Sequence, residues 1–136
     1  MSYHSATIAV YIDGGYKSIY CYNDGYPEHM YKVLTNSYAT QERAEALVNL
    51  GDASFIGNIL EPPADSNHRF YCPRPDTCIF YCRDRFDPWS CCAPLYSTRE
   101  KLLTSSYHSN YYLYIFENNQ WKIYRYGEEL VDNENA

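Results

Sequence analysis

Two pairs of alternating segments constrain this chain more than anything else in it. Thr7-Ile8-Ala9-Val10-Tyr11-Ile12 alternates and, after Asp13-Gly14-Gly15-Tyr16, so does Lys17-Ser18-Ile19-Tyr20-Cys21-Tyr22. Successive side chains of extended backbone point to opposite faces, and the glycines supply the positive φ of a tight reversal, so this spacing predicts a β-hairpin. A second hairpin is predicted from Tyr111 to Phe116 and from Gln120 to Tyr126, reversing at Asn118-Asn119. A chain with a hairpin at each end must be built around a sheet, and whatever lies between has to cover it.

The intervening segments carry helix signals. Asp24-Gly25-Tyr26-Pro27 breaks the first hairpin, and Met30, Val33, Leu34 and Tyr38 follow at helical spacing. Thr40 is a good N-cap for a second helix that turns Ala44, Leu47 and Val48 inward and stops at Gly51. Asp52 to about Asn67 reads as loop, Thr77 to Cys82 as a third strand, and Ser97-Thr98-Arg99-Glu100 as a capping box opening a helix toward Tyr107. The expected architecture is a single α+β domain over residues 1–127. It has an antiparallel sheet of about five strands, with two or three helices packed on one face. Residues 128–136, loaded with Glu128, Glu129, Asp132 and Glu134, are expected to form an acidic tail.

At 136 residues the chain can bury one core without metals or disulfides. No apolar run approaches the ~20 residues of a spanning helix, and Met1 to Ser5 lacks a leader pattern, so a cytoplasmic protein with no membrane contact is expected. The net charge of -6, from 17 acidic and 11 basic residues, argues against direct nucleic-acid binding. The 17 tyrosines are the main compositional oddity. Sorting strand positions by parity puts Ile8, Val10, Ile12, Ile19, Cys21, Leu113, Ile115, Trp121 and Ile123 on one face, expected to lie under the helices. The opposite face collects Tyr11, Tyr20, Tyr22, Tyr112, Tyr114, Phe116, Tyr124 and Tyr126. Such a face suits a protein partner, since tyrosine rings supply contact area with a wet hydroxyl. Two alternatives stay open: the segment from Gly51 to Asp76 folds over the rings, or a homodimer buries them.

Candidate chemistry is sparse. No C-x-x-C pair occurs among the six cysteines, but His68, Cys72, Cys91 and Cys92 could assemble a zinc site in an interaction module, against free thiols as the alternative. His68 or His108 could serve a nucleophilic cysteine. On an extended strand Arg83 and Arg85 would project to one side and Asp84 to the other, and with Asp24 and Tyr26 could hold a phosphate or carboxylate ligand or a small substrate. The alternative is a set of structural ion pairs with Asp84, Asp87 or Asp24.

The runs Ile19-Tyr20-Cys21 with Asp24-Gly25-Tyr26-Pro27, Leu50-Gly51-Asp52-Ala53-Ser54, Tyr81-x-Arg83-Asp84-Arg85 and Trp121-x-x-Tyr124 resemble a group of small, mostly uncharacterised proteins of phages and prophages. That group commonly has Gly-Glu where this chain has Phe86-Asp87, and His-Trp where it has Tyr22-Asn23. The resemblance implies a mobile-element accessory protein in a host cytoplasm. Among such proteins inhibitors of host defence, anti-CRISPR proteins included, are a recurring class, with a defence effector as partner and no catalytic activity.

Overall fold

The computed structural model describes residues 4–107 and 111–130. Strands β1 (Ala6–Ile12) and β2 (Gly15–Cys21) form the first hairpin, with Ile8 opposite Ile19. Helices α1 (Met30–Ser37) and α2 (Gln41–Val48) follow; Thr40 caps α2 by accepting from the Arg43 N–H, and Gly51 ends that region at φ +87°. Then come β3 (Ala53–Phe55), β4 (Ile79–Phe80), α3 (Tyr81–Arg85), α4 (Trp89–Cys92) and β5 (Leu95–Ser97). Helix α5 (Arg99–Tyr107) leads to β6 (Tyr112–Glu117), β7 (Gln120–Arg125) and β8 (Glu128–Leu130). The cap of α5 is Thr98, whose hydroxyl accepts from the Lys101 N–H, one residue later than the capping box places it.

The class is α+β, but the sheet is larger than expected and mixed rather than antiparallel. Its order is β4-β3-β2-β1-β6-β7-β8, with β5 also paired to β2. The two hairpins are joined side by side in parallel, β1 along β6, and β3 also runs parallel to β2. The middle strand expected from Thr77 to Cys82 shrinks to two residues before the chain turns into α3, and part of the expected loop after Asp52 becomes β3. The sheet also reaches further than the domain boundary read at residue 127, because Glu128 to Leu130 pair with β7; residues 131–136 of the acidic tail lie outside the described residues.

Helices lie on both faces of the sheet, not one, and this redistributes the tyrosines. α1 and α2 cover a principal core of Ile8, Val10, Ile19, Cys21, Trp121 and Ile123, joined by Tyr114 and Phe116. α5 covers a smaller core on the other face, where Ala9, Tyr16, Leu113, Ile115 and Tyr124 meet Leu102. The expected grouping therefore holds for β1, β2 and β7 and is inverted on β6. Pairing of Ile8 with Tyr114 and Val10 with Phe116 turns those rings toward α1 and α2, and sends Leu113 and Ile115 to α5. Tyr114 and Phe116 are fully buried and Tyr124 nearly so, so the expected paved face of phenol rings does not exist as a free surface.

Much of the tyrosine content is tertiary fastening instead. The Tyr114 hydroxyl donates to the Gly25 carbonyl at 2.6 Å, Tyr38 donates to the Gly57 carbonyl at 2.8 Å, and Trp121 Nε1 donates to the Tyr38 carbonyl at 2.8 Å. Each buries a large ring and satisfies its polar tip on a loop carbonyl, which is how a buried tyrosine avoids the cost of an unpaired hydroxyl. Desolvation pushes the Tyr38 and Tyr114 hydroxyls well above the usual phenol range, so both remain donors. Among the described residues no helix is long and apolar enough to cross a membrane.

A polar latch closes the α5 face. Glu117 accepts from the Tyr16 hydroxyl at 2.5 Å and from Arg99 Nε and Nη2 at 3.1 and 2.9 Å, while Arg99 also donates to the Tyr124 hydroxyl at 2.6 Å. Burial alone would raise the Glu117 carboxyl, but the bonds from Arg99 and Tyr16 outweigh it and hold it below its usual 4.5. A carboxyl depressed on folding contributes stability above its unfolded pKa and loses it as pH falls through the folded value. Glu117→Gln should therefore cost about 2 kcal/mol at neutral pH, discounted for the partly exposed Arg99. The gap between wild type and variant should close below about pH 4.5 in thermal melts; a gap independent of pH would disprove the latch.

Candidate functional site

Charged residues singled out in the sequence are consumed by the fold. α3 starts because Asp84 reaches back and accepts from the Phe80 N–H at 2.8 Å, which a strand could not permit. Arg83 then forks onto Asp84 at 2.9 and 3.0 Å and donates to the carbonyls of Leu60 and Cys78 at 2.7 and 2.9 Å. Arg85 forks onto Asp87 and lies over the rings of Phe70 and Tyr81. The two guanidiniums thus do not line one side of a strand, and Asp24 takes part in none of the ion pairs formed by the described residues. Asp24 sits at φ +56° in the turn where Gly25 packs against the start of β1, and the Tyr26 carbonyl accepts from Met30 N–H at the head of α1. The phosphate-site grouping of Asp24, Tyr26, Arg83 and Arg85 is therefore replaced by two separate structural clusters.

The zinc grouping is not assembled either. Among the described residues no three His, Cys, Asp or Glu side chains are placed to hold a metal ion. His68 Nδ1 accepts from the Arg74 N–H at 3.0 Å, which leaves Nε2 facing Asp84 at 3.4 Å. Cys72 and Cys91 are exposed, Cys92 is buried, and all six cysteines are free thiols. His68 is thus committed to the loop it anchors, and His108, the other candidate base, lies outside the described residues.

What the structure assembles instead is an aromatic trough on the α5 side of the sheet. A cavity of about 600 Å³ opens between β2, α5 and the α4–β5 segment, lined by Tyr20, Asp52, Cys91, Leu95, Leu102 and Tyr111 among others. A smaller hollow of about 260 Å³ adjoins it, sharing Asp52 and Cys91 and adding Tyr22, Tyr81, Arg85 and Asp87. Edge-to-face ring contacts run along both, from Tyr111 to Tyr20 at 5.5 Å, Tyr20 to Tyr22 at 4.5 Å and Tyr22 to Tyr81 at 5.3 Å. Phe70 continues the row at 5.3 Å from Tyr81, so a ring from the 51–76 segment covers one end of it. Of the predicted tyrosine set, Tyr20 and Tyr22 belong to this trough, Tyr112 lines the larger cavity while also packing against the principal core, and Tyr11 and Tyr126 are half-exposed elsewhere.

Beside the trough runs a segment rich in exposed apolar side chains, termed the ridge. Five of the exposed large apolar side chains come from the 71–96 segment: Tyr71, Phe86, Trp89, Leu95 and Tyr96. Phe86 is 86% exposed and caps α3 at φ +67°, a left-handed position where a side chain is strained and glycine is not. Stability would not select phenylalanine there. Sequence periodicity could not find this ridge, since α3, α4 and β5 are too short to show a period. Comparison with protein-family models, with curated proteins and with solved structures finds no match for this chain.

Proposed function

We propose that this chain acts by non-catalytic binding of a protein partner through the ridge on α3, α4 and β5, as a phage or mobile-element accessory protein that inhibits a host defence effector of the kind anti-CRISPR proteins target. The observation that carries the binding role is Phe86, a large apolar side chain held in solvent at a backbone position that penalises it, within a segment that exposes four more. Residues kept against stability mark function more often than fold. Supporting a non-catalytic role, Arg83, Arg85, Arg99, Asp84, Asp87 and Glu117 are all bound to one another in structural pairs. The defence-inhibitor role rests on the resemblance of the Asp24-to-Pro27 and Tyr81-to-Arg85 motifs, and both motifs serve the fold of this chain.

Phe86→Gly separates the roles. Removing the left-handed strain should raise stability by about 0.5–1 kcal/mol, seen as a Tm about 2–4 °C higher. The same change should abolish capture of the partner that wild type enriches from host lysate, and with it any protection of a phage plated on defended cells. Undiminished enrichment by the stabilised variant would remove the ridge as the binding surface. If the partner is a second copy of the chain, sedimentation should show a dimer for wild type and a monomer for Phe86→Gly.

A further inference from the structure

Asp52 stands where the sheet edge is interrupted. β2 pairs with β5 as far as Ser18 and with β3 at Cys21, and between those contacts the Tyr20 N–H donates to Asp52 Oδ1 at 2.9 Å. One carboxylate oxygen therefore completes the sheet. The group as a whole lines both the 600 Å³ cavity and the 260 Å³ hollow. Among the described residues no cation neutralises it: their ion pairs do not include Asp52, and Arg85, which shares the smaller hollow, is committed to Asp87. Lys101 lines the larger cavity from α5 without pairing to it. Burial raises the Asp52 carboxyl, with the Tyr20 N–H acting against the rise, as expected for a half-buried charge lacking a counter-ion.

The surroundings define what could supply that counter-ion. Tyr20 and Tyr111 line the larger cavity with Asp52 and Tyr22 and Tyr81 line the smaller hollow with it, and ring quadrupoles attract a cation placed over them. Ala93, Leu95 and Leu102 give the larger cavity apolar walls that would take a hydrocarbon stem. A divalent metal would need further hard ligands, and no three candidate ligands converge among the described residues. Anions are disfavoured by the carboxylate itself. We propose that Asp52 and the tyrosines on either side of it form a binding site for an organic cation with an apolar stem, an alkylammonium or guanidinium group supplied as a free amine or as a lysine or arginine side chain of a bound protein. The site shares Leu95 with the ridge but does not rest on the ridge's role, because it needs neither Phe86 nor a macromolecule to fill it.

Asp52→Asn tests this with little cost to the fold, since the amide oxygen still accepts from the Tyr20 N–H while the charge is gone. Purified protein would be titrated with phenethylamine, with its neutral counterpart phenethyl alcohol, and with blocked lysine and arginine (Nα-acetyl methylamides), following amide chemical shifts and heat. Wild type should bind at least one cationic probe about tenfold or more tightly than the alcohol, and Asp52→Asn should lose that preference with its Tm unchanged. Binding of the blocked amino acids but not the amine assigns the source to a protein side chain, and the reverse assigns it to a free amine. Binding of every cationic probe no tighter than that of the alcohol, no binding of any cation up to about 10 mM, or undiminished binding by Asp52→Asn would each overturn the proposal. Should the variant fail to fold, the comparison of the cationic probes with the alcohol on wild type decides alone.

Discussion

Arg83→Ala should lower the melting temperature by about 10 °C, for a loss of about 3 kcal/mol. The magnitude follows from what the guanidinium holds together. It ties the Leu60 and Cys78 carbonyls to Asp84 and lies over the Phe80 ring at 4.9 Å, so one side chain joins the long 57–78 excursion to α3. Removing it leaves two carbonyls without that donor and a nearly buried carboxylate without its counter-ion, with only the Phe80 N–H still hydrogen-bonded to it, the costly half of breaking a buried pair. Arg83→Lys should recover little, because a point charge cannot satisfy a fork and two carbonyls at once. The internal control is Arg85→Ala: its partner Asp87 is on the surface, and its loss should leave the melting temperature nearly unchanged. Equal melting of the two alanine variants would show that Arg83 is not the anchor described.

Gly51→Ala should be comparably damaging, at about 3 kcal/mol, and should in addition disturb the ridge. Two effects add at this position. Its φ of +87° is strained for any residue with a Cβ, worth about 1 kcal/mol. A Cβ would also lie 2.6 Å from the Cys92 carbonyl oxygen and 3.1 Å from the Trp89 ring, at the point where the Asp52 N–H docks on that same carbonyl. α4 would have to move, carrying Trp89 with it. Gly14→Ala isolates the first effect, since Gly14 has a φ of +85° and open space around it, and should cost only about 1 kcal/mol. Tryptophan emission should shift in Gly51→Ala and not in Gly14→Ala, because the added Cβ at Gly51 meets the Trp89 ring whereas one at Gly14 has nothing within 4 Å. Identical behaviour of the two variants would mean that the close approach of α4 contributes nothing.

The two most distinctive motifs acquire a physical meaning from these contacts. Asp24-Gly25-Tyr26-Pro27 makes the turn that presses the chain onto β1, receives the Tyr114 hydroxyl and starts α1. Tyr81-x-Arg83-Asp84-Arg85 caps its own helix through Asp84 and anchors a loop through Arg83. Of the two, only Tyr81 and Arg85 also line a hollow, the smaller one beside Asp52. The surfaces that can meet another molecule lie beside them, in Phe86, Trp89 and the β5 edge, and in the trough around Asp52. Asp52 falls within the Leu50-to-Ser54 run, yet the linear pattern gives it no role beyond that of a residue after a helix-ending glycine; its role comes from the gap in β2 pairing that its carboxylate fills.

The elements whose physics is local were legible from the chain alone. Alternation around Gly14-Gly15 and Asn118-Asn119 defined both hairpins, Thr40 and Gly51 bounded α2, and the spacing of Met30, Val33 and Leu34 placed α1 against the sheet. Tertiary structure alone decided how the hairpins meet and which faces they show. In Leu113 to Phe116 both parities are apolar, so periodicity cannot orient β6; only its parallel register with β1 turns Tyr114 and Phe116 inward, because a strand between two covered faces carries no polar side to read. Likewise Asp84 turns Arg83 to Arg85 into a helix by a local bond to the Phe80 N–H, but the hold of Arg83 on the Leu60 carbonyl, 23 residues away, is a tertiary contact that no local propensity encodes.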